Sequence, residues 1–383
     1  MERLKWGPSF SEIEAAVTAK RDVVLFALIL LLAGMGLFAL HPASSLQARI
    51  DQGDGDYYFT RQMVFALPGL VGLFFFAYVP LDFLRRYSLL FLAGCAFLLL
   101  LVFVPGIGQK VSSRSESFHR WIAFGPVRFQ PSEFAKVSLI IYAAHILGKF
   151  NLASPDADLR KLIWPFALMG ILLFLILIGP QYGTTICTLS VLAVMIYLSG
   201  FPMLRLMLVG LASLPLIGLG IFLWSYRLER FRVWLDPYSF RHEGGYQLVT
   251  AFRAFHDGGL TGVEIGTGFA HRYLTFGHTD FILALFAEDF GILGLSLLFL
   301  LYVAFVWRSV SLLRRVNHPF YFMLGAGCLV MIIVQSLLNI AVVTGVVPTT
   351  GVSLPFFSYG GSSLIATFCM TGLLLNACGQ VDS

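Results

Sequence analysis

The feature that most constrains this chain is a series of long apolar runs separated by shorter polar segments. A helix needs about 20 apolar residues to cross a hydrocarbon core of ~30 Å, because lipid offers no partner to unpaired backbone N–H and C=O groups. Runs near this length recur along the chain, at residues 23–40, 63–79, 87–105, 134–148, 162–178, 183–199, 203–224, 281–307, 321–345 and 354–378. They predict an all-α, polytopic membrane protein with about ten transmembrane helices.

The composition agrees with a lipid environment. Hydrophobic residues make up 58% of the chain and charged residues 12%, whereas soluble domains carry about 25% charged residues. No polar block is large enough to fold alone, so we predict a single membrane domain over residues 1–383. The cysteines lie within apolar runs without the spacing of a metal site and are interpreted as packing residues. No nucleic-acid partner is expected.

The basic residues predict the orientation of the helices. Lys and Arg are concentrated in cytoplasmic loops of membrane proteins, and with the N-terminus inside they gather in the predicted inner loops, for example at Arg85, Arg86, Arg314 and Arg315. An even number of helices then places both termini in the cytoplasm. We expect a multi-pass protein of the cytoplasmic (inner) membrane, with its first apolar run retained as a helix rather than removed as a signal peptide.

Two predicted outer loops depart from this charge bias. They are residues 106–133 and a large extracytoplasmic loop, 225–280, between the seventh and eighth predicted helices. The longer loop contains six arginines: Arg227, Arg230, Arg232, Arg241, Arg253 and Arg272. Long loops of this kind are usually functional or disordered, and the aromatic and glycine content argues against disorder. Two interpretations are open: contact with anionic lipid headgroups, or a site for a phosphorylated substrate.

Four polar stretches carry the most specific signal. They are HRWIAFGPVRFQPSEFAK at 119–136, RFRVWLDPYSFRHEGGYQ at 230–247, GHTDFILALFAEDFGILG at 277–294 and PTTGVSLPFFSYGGSSLI at 348–365. Together they resemble the shape, elongation, division and sporulation (SEDS) family, and the resemblance covers nearly the whole chain. YYFTRQMVFALPG at 57–69 and the LPFFSYGGSSLI stretch are more similar to the FtsW branch than to the RodA branch.

The resemblance implies a function. Members of this family are peptidoglycan glycosyltransferases that polymerise lipid II outside the cytoplasmic membrane, here during septal wall synthesis. They work with a class B penicillin-binding protein, which crosslinks the strands, and with other membrane proteins of the divisome or elongasome. The aspartate of the family's HTDF motif is essential, and in this chain it is Asp280.

Asp280 has a structural and a catalytic interpretation. An aspartate at the start of a helix can accept a backbone N–H as an N-cap, although Thr279 could do so equally well. Alternatively, Arg272 and His278, close in sequence, would favour the ionised carboxylate and lower its pKa. Asp280 would then serve as a general base that takes a proton from the acceptor sugar hydroxyl. Because a lowered pKa weakens a base, we expect that proton transfer to be late.

The leaving group of such a reaction needs positive charge rather than a proton. Lipid II leaves as a polyprenyl pyrophosphate, so cations are expected beside it. The candidate cations are Lys136, Arg120 and Arg128. Glu133 lies three residues before Lys136 on the same predicted helix face, so the two could instead form a buried structural ion pair. The sequence leaves both interpretations open. A divalent cation, Mg or Mn, is compatible with this chemistry. No dedicated metal cage is visible, and no organic cofactor is expected.

Several further residues carry weaker predictions. Arg230 begins an R…DP…GYQ pattern assigned to the substrate loop, and the glycine-rich segment 258–268 is interpreted as a flexible turn rather than a phosphate loop. Ser358 either packs between helices or lines the lipid cavity. Glu288 and Asp289 serve either helix packing or catalysis. Gln181 stands where the family commonly has an acid, which puts any role of that position in doubt.

Two other classes of function remain open from the sequence. A transporter that flips lipid II would use the same substrate, but an alternating-access carrier is expected to bind near the midplane, within repeated and broken helices. The candidate polar residues gather instead at the outer helix ends. A non-catalytic division scaffold is the third hypothesis, and it would not require the HTDF carboxylate.

Overall fold

The computed structural model describes residues 21–112, 117–124, 127–150, 152, 159–179, 181–208, 210–212, 225–242 and 244–380. These residues form a helical bundle with one small sheet. The helices are α1 Val23–Gln52, α2 Tyr57–Tyr78, α3 Leu81–Arg86, α4 Ser88–Leu101, α5 Pro131–Leu147, α6 Ile163–Ile178, α7 Tyr182–Leu198, α8 Met203–Ala212, α9 Ser225–Leu235, α10 Tyr246–Gly258, α11 Phe269–Tyr273, α12 Ile282–Leu313, α13 Pro319–Val343 and α14 Gly361–Cys378. A 3₁₀ turn at Leu159–Leu162 leads into α6.

The multi-pass helical class predicted from the apolar runs is confirmed. Among the described residues, six helices are long and apolar enough to cross a membrane: α1, α2, α6 with its preceding turn, α12, α13 and α14. Shorter apolar helices include α4, α7 and α8. Each predicted run overlaps one helix, but the second half of run 203–224 lies outside the described residues. The number of spans and the orientation remain predictions.

The helices differ in how far they are enclosed by protein. In the most apolar 18-residue stretch of α14, 83% of the residues are buried, compared with 17% in that of α12. Helix α14 therefore lies in the centre of the bundle, and this part of α12 lies at its edge. Glycines bring α2 close to α14, since a Cβ on Gly69 would lie 2.5 Å from Phe368 and one on Gly372 would lie 2.4 Å from the Leu73 carbonyl oxygen. Small residues permit such close contact between helices in lipid, where dispersion forces drive packing.

Helix α12 is broken at Gly291, whose φ of 59° and ψ of −160° are not helical. Before the break, residues 282–289 are all buried. After it, Ile292 and Leu293 are 55% and 63% exposed, which is typical of a lipid-facing surface. Residues 292–313 rise about 33 Å, close to the ~30 Å hydrocarbon thickness. We infer that the second half of α12 spans the membrane and that the first half is enclosed by protein.

The glycine-rich segment 258–268 forms turns, as predicted, and these turns pack into the break. The backbone N–H groups of Ile292 and Leu293 donate to the carbonyl oxygens of Gly259 (3.0 Å) and Leu260 (3.1 Å). A Cβ on Gly262 would lie 2.1 Å from the Asp289 carbonyl oxygen. The glycines therefore serve close packing of one backbone against another, which a search for turns and phosphate loops does not consider.

The two long loops contain regular structure. The strands β1 Gly108–Ser112, β2 Ser117–Phe124 and β3 Val127–Phe129 form an antiparallel sheet in that order. Gly108 pairs with Ile122, and Ile122 pairs with Phe129. The expectation of an all-α chain omitted this sheet, because a window long enough to detect spanning helices averages over strands this short. In the longer loop, α10 and α11 pack on α12, and α9 is hydrogen-bonded to the chain after α13 through Arg230 and Trp234.

Candidate functional site

Asp280 lies just before α12, at the end of the bundle that carries the sheet and helices α9 to α11. Residues 344–360 connect α13 to α14 and approach Asp280. We call them the connecting segment. The side-chain amide of Asn339, on α13, donates to the Asp280 backbone oxygen at 2.8 Å and to that of Val352 at 2.7 Å. Asp280 is therefore fixed by its backbone to two other parts of the chain.

The interpretation of Asp280 as a helix cap is wrong. Helix α12 begins at Ile282, and its N-cap position is Phe281, without a side-chain cap bond. The Thr279 hydroxyl donates to the Phe276 carbonyl oxygen at 2.7 Å and does not cap α12 either. Among the described residues, none forms a hydrogen bond or ion pair with the Asp280 carboxylate. Its oxygens are thus available to a ligand.

A glycine and two arginines surround the carboxylate. Gly351, in the connecting segment, has φ of 67°, and a Cβ added to it would lie 3.3 Å from Asp280 Oδ2. Arg230 of α9 donates to the Thr349 carbonyl oxygen at 2.6 Å, which holds α9 over the same segment. Arg230 and Arg120 of β2 act electrostatically on Asp280. Positive charge therefore reaches the carboxylate from both long loops.

Burial raises the pKa of Asp280, and the charges of Arg230 and Arg120 offset this only in part. The sequence-based expectation was the reverse, a pKa lowered by Arg272 and His278. It fails because the His278 ring is buried, which lowers its pKa to about 4 and leaves it uncharged at neutral pH. Arg272 is exposed. Removal of the carboxylate from water is the larger effect.

His278 instead belongs to an aromatic cluster. Its ring stacks on Tyr58 with ring centroids 4.7 Å apart and meets Tyr359 edge-on at 5.5 Å. The Tyr359 backbone N–H donates to the His278 carbonyl oxygen at 2.9 Å. These contacts fix the segment that leads into Asp280.

Glu133 and Lys136 form a buried ion pair at the start of α5, with Lys136 Nζ 3.0 Å from Glu133 Oε2. Only 3% of the Lys136 side chain and 7% of the Glu133 side chain are exposed. Lys136 also donates to Gln335 Oε1 at 3.2 Å. The structural interpretation of this pair therefore applies. Because Lys136 shares a polar chain with residues near Asp280, the ligand interpretation also stays open.

That polar chain contains residues that the sequence analysis missed. Gln335 Nε2 donates to the Ser353 carbonyl oxygen at 3.1 Å, and the hydroxyls of Ser353 and Ser363 lie 2.8 Å apart. Gln335 and Asn339 are four residues apart on α13, which places both amides on one helix face. Polar side chains at this spacing in an apolar run were the available signal.

Gln181 joins a second polar group beside α5. Its Oε1 accepts hydrogen bonds from Gln130 Nε2 at 2.9 Å and from the hydroxyl of Ser132. The Gln130 backbone N–H donates to the Ser362 hydroxyl at 3.0 Å. The amide in place of the family's usual acid is thus satisfied within the protein and links α7 to α5.

Other predicted residues lie at the edge of this region. Arg128 is exposed on β3. The Ser358 hydroxyl accepts from the Leu354 backbone N–H at 2.7 Å, and the Ser358 carbonyl oxygen accepts from Gln62 Nε2 at 3.2 Å. Ser358 thus stabilises the connecting segment, and its assignment as a substrate ligand stays a prediction.

Glu288 and Asp289 bind residues 266–271 of the longer loop to the buried half of α12. The Ala270 backbone N–H donates to Glu288 Oε1 at 2.9 Å. His271 Nε2 lies 2.9 Å from Asp289 Oδ1, which also accepts from the Gly266 backbone N–H at 2.9 Å. Of the two interpretations, packing fits these contacts, because both carboxylates are occupied by the loop.

No group of three or more His, Cys, Asp or Glu residues that could hold a metal ion occurs among the described residues. The residues present supply arginine and lysine charge instead.

Comparisons with known proteins agree on one family. The family model for FtsW, RodA and SpoVE, described as a cell cycle protein, matches residues 22–382. The chain is 33% identical over 357 residues to a probable peptidoglycan glycosyltransferase FtsW of Geobacter sp. (strain M18), covering 93% of this chain and 96% of that protein. It is 32% identical over 358 residues to the stage V sporulation protein E of Bacillus subtilis (strain 168), covering 93% and 96%.

Solved structures show the same relationship. One is a chain of a peptidoglycan synthase complex described in terms of the coordination of polymerization and crosslinking. It is 28% identical, with a TM-score of 0.75, and the match covers 94% of this chain and 97% of that one. The crystal structure of the Thermus thermophilus rod shape determining protein RodA is 25% identical, with a TM-score of 0.69, covering 96% and 99%.

Proposed function

This chain belongs to the FtsW, RodA and SpoVE family of cell cycle proteins, and from that premise we propose that it is a peptidoglycan glycosyltransferase that polymerises lipid II. The resemblance seen in the motifs is confirmed. One observation carries the mechanism: the Asp280 carboxylate makes no bond within the described residues, lies beside Gly351 and is acted on by the charges of Arg230 and Arg120. An acid kept out of structural bonds beside positive charge suits proton abstraction next to an anionic group.

In the proposed reaction, Asp280 acts as general base. The acceptor sugar hydroxyl attacks the anomeric carbon of the donor, a C–O bond forms, and the bond from that carbon to the pyrophosphate oxygen breaks. The hydroxyl proton passes to Asp280. Its raised pKa strengthens the base, which lessens the difficulty that a lowered pKa would create. Transfer late in the step, when the new bond has acidified the oxygen, still fits a carboxylate.

The leaving group is polyprenyl pyrophosphate, which departs as an anion and needs no proton. Arg230 and Arg120 lie close enough to Asp280 to act on its charge, and we assign them the pyrophosphate, with Lys136 and Arg128 nearby. Fixed positive groups stabilise developing negative charge without reorganising during the reaction. A divalent cation, Mg or Mn, remains a prediction, and no step above depends on one.

The setting of this activity is also part of the proposal. The similarity to a chain of a synthase complex supports a class B penicillin-binding protein as the crosslinking partner. The FtsW-like motifs support septal synthesis with other divisome membrane proteins, or elongasome proteins in a RodA-like role. We place the Asp280 end of the bundle outside the cytoplasmic membrane, as the basic residues of the short loops predict.

The transporter hypothesis would draw support from a broken helix, and α12 is broken at Gly291. In carriers of that type the backbone groups freed by a break contact the substrate or ion. Here the N–H groups of Ile292 and Leu293 donate to Gly259 and Leu260. Since the break is filled by the protein's own loop, the enzyme hypothesis is preferred. A scaffold gives no reason for a carboxylate that has no partner among the residues described.

Polymerisation of labelled lipid II by the purified full-length protein tests the proposal, with and without a class B partner and with and without a chelator. We expect glycan strands from the parent protein and loss of product from Asp280→Asn. Asp257→Asn, an exposed acid paired with Arg253 at 3.1 Å, is the matched control and should remain active. Undiminished synthesis by Asp280→Asn would refute the assignment, and lipid II translocation without polymerisation would favour the transporter.

A further inference from the structure

Asn339 has a geometry that nothing in the proposed mechanism explains. It is fully buried on α13, and its amide nitrogen donates to the backbone oxygens of Asp280 (2.8 Å) and Val352 (2.7 Å). These oxygens belong to segments that are far apart in sequence and that meet at the site. Val352 directly follows Gly351, the residue beside Asp280 Oδ2. One side chain thus sets the distance between the carboxylate and the wall it faces.

One turn away on the same face of α13, Gln335 repeats the arrangement. Its amide nitrogen donates to the Ser353 carbonyl oxygen at 3.1 Å, while its oxygen accepts from Lys136 at 3.2 Å. Val352 and Ser353 are consecutive, so the two amides hold adjacent points of the connecting segment. Helix α13 therefore joins the segment of Asp280 to the Glu133–Lys136 ion pair through two amide side chains.

We propose that Asn339 is a positioning residue for the transferase reaction, with Gln335 as its second contact, and that it acts by fixing the Asp280 carboxylate relative to Gly351 and Lys136. This inference rests on the proposed function. Asn339 touches no reacting atom. Its contribution is geometric, and a misplacement of about 1 Å at a reacting group can cost on the order of 10²-fold in rate.

The chain offers a matched control for a purely structural role. Asn376 of α14 is equally buried, and its amide nitrogen donates to two backbone oxygens, those of Phe76 at 2.9 Å and Val79 at 2.7 Å. It lies at the opposite end of the bundle. Removing either amide leaves two backbone carbonyl oxygens without their donor. Asn376 Oδ1 also accepts from Arg21 Nη2 at 3.1 Å and from Gln380 Nε2 at 3.2 Å. Asn376→Ala should therefore cost at least as much stability as Asn339→Ala, while only Asn339 contacts the segment of Asp280.

The experiment compares Asn339→Ala and Asn376→Ala in lipid II polymerisation, with thermal unfolding measured for both. We expect Asn339→Ala to lose kcat by about 10²-fold with little change in KM, and Asn376→Ala to keep most of its kcat after an equal or larger drop in Tm. Asn339→Leu, which keeps the branched shape but is larger and has no donor, should behave like Asn339→Ala. Equal losses of kcat at the two positions would overturn the proposal.

A second readout requires no substrate. Dicyclohexylcarbodiimide modifies protonated carboxyl groups in apolar surroundings, and mass spectrometry can follow its reaction with Asp280 against pH. In Asn339→Ala the loosened carboxylate should gain water, so the labelling midpoint should move to lower pH than in the parent and in Asn376→Ala. An unchanged midpoint would count against positioning. A parent protein that makes no glycan would contradict the proposed function, and labelling alone would then decide the role of Asn339.

Discussion

Two aspartates precede spanning helices at opposite ends of the bundle, and their surroundings are reversed. Asp22, before α1, accepts from the Leu25 backbone N–H at 2.7 Å and from Arg308 Nε at 3.1 Å and Nη2 at 2.5 Å. The Arg308 hydrogen bonds hold the pKa of Asp22 below its usual value. Asp280, before α12, has no such bond among the described residues, and burial raises its pKa. A carboxylate whose bonds are satisfied stabilises the fold, whereas one left unsatisfied is available for chemistry.

The largest expected effect separates these two aspartates by activity. Asp280→Asn removes the base and should lower lipid II polymerisation by at least about 10²- to 10⁴-fold. Asp22→Asn should keep most of its activity when rates are compared per folded protein, because Asp22 is far from the site. Rates from purified protein, normalised to the folded fraction, provide the measurement. Equal losses of polymerisation rate in the two variants would contradict the assignment of different roles to Asp280 and Asp22.

Glu133 combines features of the two aspartates, since it has a cationic partner like Asp22 but lies at the same end of the bundle as Asp280. It therefore tests whether a carboxylate stabilises the fold because it is paired, regardless of where it lies. Lys136→Met leaves Glu133 buried without its cation and should cost about 3–5 kcal/mol of stability. Adding Glu133→Gln should restore most of that loss. Arg253→Met, in the exposed Arg253–Asp257 pair, also removes the stacking of Arg253 on Phe269 and should cost no more than about 1 kcal/mol. Chemical or thermal unfolding in detergent measures these differences, and a stable Lys136→Met single variant would contradict them.

A smaller effect is expected from the wall beside Asp280. Gly351 and Gly53 both have positive φ, 67° and 76°. A Cβ added to Gly351 would lie 3.3 Å from Asp280 Oδ2, whereas a Cβ added to Gly53 would have no atom within 4 Å. Alanine at either site should cost about 1 kcal/mol in backbone strain. Only Gly351→Ala should also lower kcat/KM, by about tenfold. Similar activity of the two variants would show that the space beside the carboxylate is unimportant.

The smallest expected effect is a change in Tm, which should have opposite signs in the two aspartate variants. Asp280→Asn should raise Tm by about 2 °C near neutral pH, and Asp22→Asn should lower it by a similar amount. Asp22, with its lowered pKa, stabilises the fold above its unfolded pKa and loses this effect as pH falls through its folded pKa. Asp280, with a raised pKa, is favoured when protonated, so its cost grows as pH rises above 3.8, the ordinary value, through its folded pKa.

Unfolding curves recorded from acid to neutral pH check both signs. The deficit of Asp22→Asn should shrink towards acid, and the advantage of Asp280→Asn should appear only as pH rises. An Asp280→Asn protein less stable than the parent at neutral pH would indicate that the carboxylate has a structural partner.

The spanning helices were predictable because each is encoded by a local run of apolar residues. The Glu133–Lys136 pair was predictable for the same reason, since three residues along a helix bring two side chains together. The sheet within residues 108–129 was missed because its strands are short, with five, eight and three residues. The packing of segment 258–268 was missed because a glycine's neighbour across a contact cannot be read from the glycine's own surroundings in sequence.

The environment of Asp280 was the least predictable part. Its residue identity followed from the HTDF motif, but the arginines that act on it come from α9 and β2, and its backbone is held from α13. Sequence proximity instead suggested Arg272 and His278, which are exposed and uncharged, respectively. The sign of a pKa shift depends on burial as well as charge, and burial is set by the complete bundle.

The filled break in α12 also bears on which amino-acid replacements this chain can tolerate. Added methyl groups at Gly258, Gly262 and Gly291 would meet backbone atoms at 2.1 Å, 2.1 Å and 2.5 Å, and backbone cannot rotate aside as a side chain can. A saturation mutagenesis map should therefore show a band of intolerance along these glycines, although none of them touches a reacting atom. Substitutions that impair wall synthesis would then occur at positions that have no catalytic role.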